Sequence, residues 1–160
     1  MKIIAVVGTG SGCGKTTAAC RILQAVPGLG AVKISPREGP SRIDWGAGEP
    51  GKDTDLFVGS GAVNVARIIG PRSAVGPAWE QIKDQFEACR GVVMEGASSL
   101  SLPGEKYVVF VVGDPEGQPR EDRNRAIAAV SNIIIARSSH FDAEKLLSAI
   151  RKFLAGPADR

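Results

Sequence analysis

The chain has 160 residues, 43% of them hydrophobic, and this length and composition predict a single domain spanning residues 1–160. The formal net charge is +3, from 20 basic and 17 acidic residues without a block of Lys or Arg, so we expect no nucleic-acid partner. Its three cysteines match neither a disulfide framework nor a CxxC site, and we see no signal-type segment and no apolar run of about 18 residues, which favours a reduced cytoplasmic protein without a membrane span.

Predicted strands and helices alternate along the chain. Short β-branched runs such as KIIAVV, apolar on both sides, are typical of central parallel strands covered on both faces. The pattern predicts strands over 2–7, 31–34, 63–68, 91–94, 107–112 and 132–136, and helices over 14–25, 53–60, 77–89, 120–130 and 142–154. This alternation predicts an α/β fold, a mostly parallel sheet with helices on both faces.

The segment 35–52 is rich in proline and glycine and is predicted to be a mobile loop. Its arginines, Arg37 and Arg42, are candidates for contact with an anionic ligand, although a solvated loop is the favoured interpretation. We therefore treat this segment as the place to look for a second substrate.

The sequence GTGSGCGKTT, Gly8 to Thr17, joins the first predicted strand to the first predicted helix. Alternating glycines let several backbone N–H groups point at one polyphosphate, and the helix adds the positive end of its dipole. Lys15 is then placed to reach the β- and γ-phosphates, and Thr16 to put its hydroxyl on Mg²⁺. The predicted triphosphate site consists of Gly10, Ser11, Gly12, Cys13, Gly14, Lys15, Thr16 and Thr17.

Two features of this loop leave alternatives. The usual GxxxxGK[ST] pattern has glycine where Thr9 stands, with Gly8 one place earlier, and a glycine-rich turn with a chance Gly-Lys-Thr would look similar. Amide dipoles and Lys15 are able to lower the pKa of a thiol at Cys13, but a small packing residue is the simpler interpretation. The strand before the loop and the helix after it are the context that the phosphate-binding motif requires.

Acidic residues outside the loop are candidates for holding Mg²⁺. Glu95 follows the buried run of residues 91–94, where a carboxylate commonly completes a Mg²⁺ shell, although it would also suit a strand end in solvent. Asp53 and Asp55 are candidates for positioning Mg²⁺ or a water, and Asp53 equally for a helix N-cap. We assign Lys15, Glu95 and Asp53 to catalysis and Thr16 and Glu95 to the metal.

Three further residues receive weaker assignments. Lys33, after the second strand, faces either phosphate or substrate, or is a solvated lysine. Asp114, after the strand 107–112, is a candidate for contact with the base or Mg²⁺, whereas His140 has no Cys or His at ligand spacing and is interpreted as a surface or cap residue. Gly96, beside Glu95, is expected to allow close approach of phosphate.

Four blocks together, GTGSGCGKTT, AVKI, PGKDTDLFVGSGA and VVMEG, resemble the MobB family of molybdopterin-guanine dinucleotide biosynthesis proteins in order and spacing. The resemblance implies a P-loop NTPase fold and a homodimer that binds GTP and Mg²⁺ and assists attachment of a nucleotide to molybdopterin, with molybdopterin or a cofactor-assembly enzyme as its partner. By this likeness Lys15 and Thr16 carry phosphate and magnesium, and Glu95 is the strand-end acid. Where such proteins commonly have a histidine-rich stretch, this chain has Ile34 to Glu38, and no Asn-Lys-x-Asp base-reading motif follows the strand 132–136.

A second likeness joins Gly8-Thr9 and Gly14-Lys15-Thr16 with the sequence MEGASSL at 94–100, which is similar to dethiobiotin synthetase and the cobyrinate amidating enzymes. It implies an ATP-dependent ligase or kinase that activates a carboxylate by phosphorylation, although Ser98-Ser99 replaces the glycine pair of that family. Three functions therefore remain open: a slow Mg²⁺-dependent GTPase or ATPase, such a ligase, or a nucleotide-dependent adaptor without turnover.

Overall fold

The computed structural model describes residues 1–113, 121–136 and 143–156. Its strands are β1 (Lys2–Gly8), β2 (Leu29–Pro36), β3 (Arg42–Trp45), β4 (Val65–Gly70), β5 (Gly91–Glu95), β6 (Glu105–Val112) and β7 (Ile133–Ala136). Its helices are α1 (Lys15–Ala25), α2 (Asp53–Gly59), α3 (Val75–Ile82), α4 (Glu121–Ala129) and α5 (Ala143–Ala155). Short 3₁₀ segments cover Arg72–Ala74, Lys83–Phe86 and Ala97–Ser101.

The seven strands form one sheet in the order β3-β4-β2-β5-β1-β6-β7. Neighbouring strands are parallel, except that the edge strand β3 runs antiparallel to β4. The chain winds from the central β1 to one side through β2 and β4, then to the other through β6 and β7. In such sheets ligands bind outside the carboxyl ends of the strands where the winding direction changes, which here is the end of β1.

Alternate residues of the central strands belong to two hydrophobic cores on opposite faces of the sheet. Ile4 and Val6 of β1 pack in the core that receives α1, α2 and α5, whereas Ile3 and Ala5 pack in the core that receives α3 and α4. Every residue from Ile3 to Val7 is fully buried, so β1 is covered on both faces of the sheet. The predicted α/β sheet with helices on both faces is confirmed.

The prediction of a loop over 35–52 is wrong in part, because β2 extends to Pro36 and β3 lies within this segment. Ile43 stands opposite Ile68 of β4, and the Trp45 ring stacks on Phe86 with centroids 6.1 Å apart. This edge strand forms because the chain turns back along β4, a pairing that four residues between glycines and prolines do not reveal. The predicted helix 77–89 is likewise too long, since α3 ends at Ile82 and a 3₁₀ segment follows.

Within the described parts of the chain, no helix combines the length and the apolar character needed to cross a membrane.

Candidate functional site

The glycine loop turns the chain from the end of β1 into α1. Gly12 and Gly14 have positive φ angles of 71° and 101°, which L side chains rarely adopt, so glycine is required at both positions. Gly14 is the N-cap of α1 and has no side chain to cap the helix. The first helical bond runs from the N–H of Ala18 to the carbonyl of Gly14, so the N–H groups of residues 15–17 precede it at the N-terminal end of the helix.

Cys13 fixes the loop against the ends of β1 and β6. It is buried, and a Cβ atom added at Gly8 would collide with its sulfur, while one added at Gly113 would lie 2.8 Å from its Cβ. Thr9 adds a hydrogen bond, because its hydroxyl accepts the N–H of Gly113 at 3.0 Å. The small side chain at residue 13 is therefore needed for packing, as expected for a filler.

Lys15 lies along the loop. Its ammonium group donates to the carbonyl oxygen of Gly10 and lies 3.5 Å from the sulfur of Cys13. The first turn of α1 carries no acidic residue. The charge of Lys15 therefore adds to the positive end of the helix dipole.

Thr16 connects the loop to the two predicted acidic residues. Its Oγ1 lies 3.0 Å from Oδ1 of Asp53 and 2.9 Å from Oε2 of Glu95. One hydroxyl has one proton to donate, so it serves either carboxylate at a time. Three oxygen-bearing side chains from α1, α2 and β5 thus converge on one point.

Lys33 forms an ion pair with both carboxylates. Its Nζ lies 2.7 Å from Oδ2 of Asp53 and 2.5 Å from Oε1 of Glu95, because Lys33 and Glu95 are register partners on β2 and β5. The side chain of Glu95 is 1% exposed and that of Lys33 17%. Water therefore screens this pair far less than it screens a surface ion pair.

The ion pairs shift the pKa values of two of these groups. Burial acts to lower the pKa of Lys33, but the negative charge of Glu95 and the hydrogen bonds to both carboxylates outweigh it and raise that pKa. Burial acts to raise the pKa of Asp53, but the hydrogen bond and charge of Lys33, with the Thr16 hydroxyl, lower it overall. The lysine is therefore held as ammonium and Asp53 as carboxylate.

Several interpretations from the sequence are corrected here. Asp53 is not the helix N-cap, because Lys52 takes that position and the Asp53 side chain bonds to Thr16 and Lys33 instead. Glu95 does not meet solvent, and Lys33 is not a solvated lysine. The burial of Lys33 and Glu95 follows from the parallel pairing of β2 with β5, which places the two residues opposite each other.

Other candidates lie away from this constellation. The carboxylate of Asp55 accepts the N–H of Gly51 at 2.7 Å, and Arg42 pairs with Asp44 at 3.2 Å on the exposed edge strand. Arg37 is exposed. Asp114 and His140 lie outside the described residues.

Gly96 packs closely against the neighbouring strand β2. Its φ angle is 135°, and a Cβ atom there would lie 3.0 Å from both the Cβ and the carbonyl oxygen of Ile34 on β2. The glycine is therefore required by close packing of β5 against β2, whether or not a ligand approaches it.

The glycine loop lines one cavity of about 620 Å³ together with the side chains of Lys33, Asp53 and Glu95. This volume is in the range of small-molecule sites. The lining of the cavity also includes Arg21, one helical turn after Thr17, and residues at the ends of β6 and β7, which sequence analysis missed. The only sequence signal for Arg21 is its spacing of four residues from Thr17, whereas the strand ends require the sheet order. The lining residues are Ser11, Gly12, Cys13, Gly14, Lys15, Thr16, Thr17, Ala18, Arg21, Lys33, Asp53, Glu95, Val111, Ile135 and Ala136.

The donor set has a clear chemical preference. A hydroxyl and two carboxylates are hard oxygen ligands, which suit Mg²⁺. Within the described residues no group of three or more His, Cys, Asp or Glu side chains is arranged to hold a metal, so a cation here would need Thr16 and an oxygen from its ligand. Helix N–H groups and Lys15 beside these carboxylates suit an anion.

Comparison with known proteins gives no assignment: no family model, no curated protein and no solved structure matches this chain. The functional interpretation therefore depends on the residues of the site.

Proposed function

We propose that this chain is a P-loop NTPase that binds a nucleoside triphosphate with Mg²⁺ in the cavity at the end of β1. The convergence of Thr16, Asp53 and Glu95 beside the glycine loop is the observation that carries the proposal. In a phosphate-binding loop of this kind, the hydroxyl after the lysine and a strand-end carboxylate share the metal. This chain brings both together at hydrogen-bond distance.

In this proposal different groups of the site bind the phosphates and the metal. The N–H groups of the loop and of the first turn of α1 bind phosphate oxygens, and the Lys15 ammonium leaves the Gly10 carbonyl to pair with the β- and γ-phosphates. Thr16, Asp53 and Glu95 hold Mg²⁺, which would neutralise charge on the phosphates. Turnover is slow and proceeds by in-line attack of water, with the developing charge stabilised by Lys15, the loop N–H groups and the metal.

The biological role that we propose follows the resemblance to the MobB family: an accessory protein of molybdopterin-guanine dinucleotide biosynthesis. It includes a preference for GTP, a homodimer, and molybdopterin or a cofactor-assembly enzyme as partner. The GTP preference, the homodimer and the partner are inferred from the four sequence blocks alone, and no contact among the described residues of the cavity supports them.

A second candidate is the ATP-dependent, carboxylate-activating ligase. The observation that favours it is Lys33, a half-buried ammonium in the same cavity as the loop, which would suit an anionic acceptor next to the terminal phosphate. In this case turnover requires the acceptor.

A titration with non-hydrolysable GTP and ATP analogues, each with and without Mg²⁺, tests binding, and a turnover assay with GTP and with ATP tests hydrolysis. We expect Mg²⁺-dependent binding, tighter for GTP, and measurable hydrolysis of GTP alone. Tighter binding of ATP without hydrolysis would favour the ligase, and binding without turnover of either nucleotide would favour an adaptor. Absence of binding to both analogues would refute the proposed function.

A further inference from the structure

Four groups in the cavity form a closed ring. Asp53 and Glu95 each present one oxygen to Thr16 and the other oxygen to Lys33. The Lys33 ammonium therefore occupies the side of the carboxylate pair opposite the Thr16 hydroxyl. In the protein without a ligand, the Lys33 ammonium is the cation that pairs with both carboxylates.

The charge count of this ring gives it less attraction for a second cation than the two carboxylates alone would have. Two carboxylates and one ammonium sum to a single negative charge, and a divalent ion would turn that into a single positive charge. The positive end of α1 and Lys15 lie in the same cavity and reduce that attraction further. Glu95 is 1% exposed, Lys33 17% and Asp53 39%, so solvent screens the repulsion between Lys33 and an added ion less than it would at a fully exposed site.

A polyphosphate reverses this balance. It brings several negative charges into the same cavity, and Lys33, which lines that cavity, then has an anion to face when it leaves the carboxylates. A divalent cation therefore binds favourably when the polyphosphate is present and weakly when it is absent.

We propose that Lys33 is the resident cation of the Asp53–Glu95 pair and makes divalent-cation binding conditional on a bound polyphosphate. The inference rests on the proposed function in taking these carboxylates as metal ligands. In this inference Lys33 is a positioning residue, and its contact with the two carboxylates excludes the metal from the nucleotide-free protein.

The test measures Mn²⁺ binding to the nucleotide-free full chain from the electron paramagnetic resonance signal of free Mn²⁺. We expect weak binding to the wild type and binding at least about tenfold tighter to Lys33→Gln, because a like charge a few ångströms from the ion is removed. Lys33→Arg keeps the charge and should remain as weak as the wild type. Lys83→Gln removes an exposed lysine paired with Glu80 at 2.6 Å and should change nothing.

A further variant locates the ion. Adding Asp53→Asn to Lys33→Gln should remove the gain in Mn²⁺ affinity, because a ligand is lost. Equal Mn²⁺ affinity of wild type and Lys33→Gln would overturn the proposal, and so would a gain that survives Asp53→Asn. If Lys33→Gln is unfolded without metal, Mn²⁺-induced folding followed by circular dichroism supports the proposal, and no recovery with Mn²⁺ contradicts it.

The same preparations separate this inference from the proposed function. A wild type that binds no triphosphate, together with a gain in Lys33→Gln, would refute the proposed function and leave the role of Lys33 as resident cation standing. A wild type that binds Mg²⁺-triphosphate, together with no gain in Lys33→Gln, would refute the inference alone.

Discussion

At the scale of single residues, the strongest feature is a buried carboxylate beside a half-buried ammonium at the end of a parallel strand. Glu95 is placed there by β5, and Lys33 by its register with β2, so the pair follows from the pairing of the two strands. Glu95 as a site candidate was predictable, because a carboxylate directly after a buried apolar run stands out in sequence. Lys33 was not recognised as its partner, since nothing local shows that residues 33 and 95 are opposite each other.

The first prediction concerns Asp53 and pH. Its pKa is lowered in the folded protein, so its stabilising contribution is present above its unfolded pKa of about 3.9 and is lost as pH falls through the lowered folded value. We expect Asp53→Asn to lower the free energy of unfolding at pH 7 by about 1 kcal/mol, a modest value because the side chain is 39% exposed and partly screened. The difference from wild type should shrink at the most acidic pH at which both remain folded.

Urea unfolding across this pH range measures the effect. The matched control is Asp44→Asn, which removes an exposed carboxylate paired with Arg42 and should change stability by less. A difference between wild type and Asp53→Asn that stays constant down to acidic pH would contradict the lowered pKa.

The second prediction concerns Gly96. Gly96→Ala forces a side chain into a φ of 135° and against Ile34, and we expect a loss of about 1–3 kcal/mol in the free energy of unfolding. Gly76→Ala, in α3 with no atom within 4 Å of the added Cβ, should be neutral or stabilising by up to about 1 kcal/mol. Denaturant titration of both variants decides this, and equal stabilities would show that β5 and β2 are not closely packed at Gly96.

At the scale of elements, the alternation of strands and helices was predictable because each central strand is a continuous apolar run. The edge strand β3 was not, since its four residues are largely exposed and gain their conformation from β4. The glycine loop was predictable as a turn between β1 and α1. Its packing against β6 was not, because Gly8, Cys13 and Gly113 meet only in the folded sheet.

The third prediction tests that packing. Gly8→Ala would press against the sulfur of Cys13 and the carbonyl of Val111, 2.9 Å away, and the loop would have to move. We expect a loss of about 1–3 kcal/mol in stability, the range for overpacked sites, together with weaker triphosphate binding. In thermal unfolding, Gly10→Ala serves as control because its Cβ meets nothing within 4 Å. A Gly8→Ala variant as stable as Gly10→Ala would rule out a tight contact between loop and strand.

At the scale of the whole molecule, the two cores share the same strands, so we expect them to unfold together. Ile4 belongs to the face of α1, whereas Trp79 belongs to the opposite face and Trp45 stacks on Phe86 of that core. The fourth prediction is that Ile4→Ala, which removes fully buried methyl groups, costs about 2–5 kcal/mol. Tryptophan fluorescence on the far face should report the same shifted midpoint as far-ultraviolet circular dichroism, and two separate midpoints would show that the faces unfold independently.

The central claim is that the glycine loop binds a triphosphate, and calorimetry of the Lys15→Ala variant tests it most directly. Lys15 makes no ion pair among the described residues; its ammonium group donates to the carbonyl of Gly10 and approaches the sulfur of Cys13, so its removal should leave the fold intact while deleting the counter-charge for the phosphates. We expect Mg²⁺-triphosphate binding by the wild type and a loss of at least about a hundredfold in the variant, in line with the loss of a charge-assisted contact in a desolvated site. Unchanged affinity in a folded Lys15→Ala protein would contradict the account.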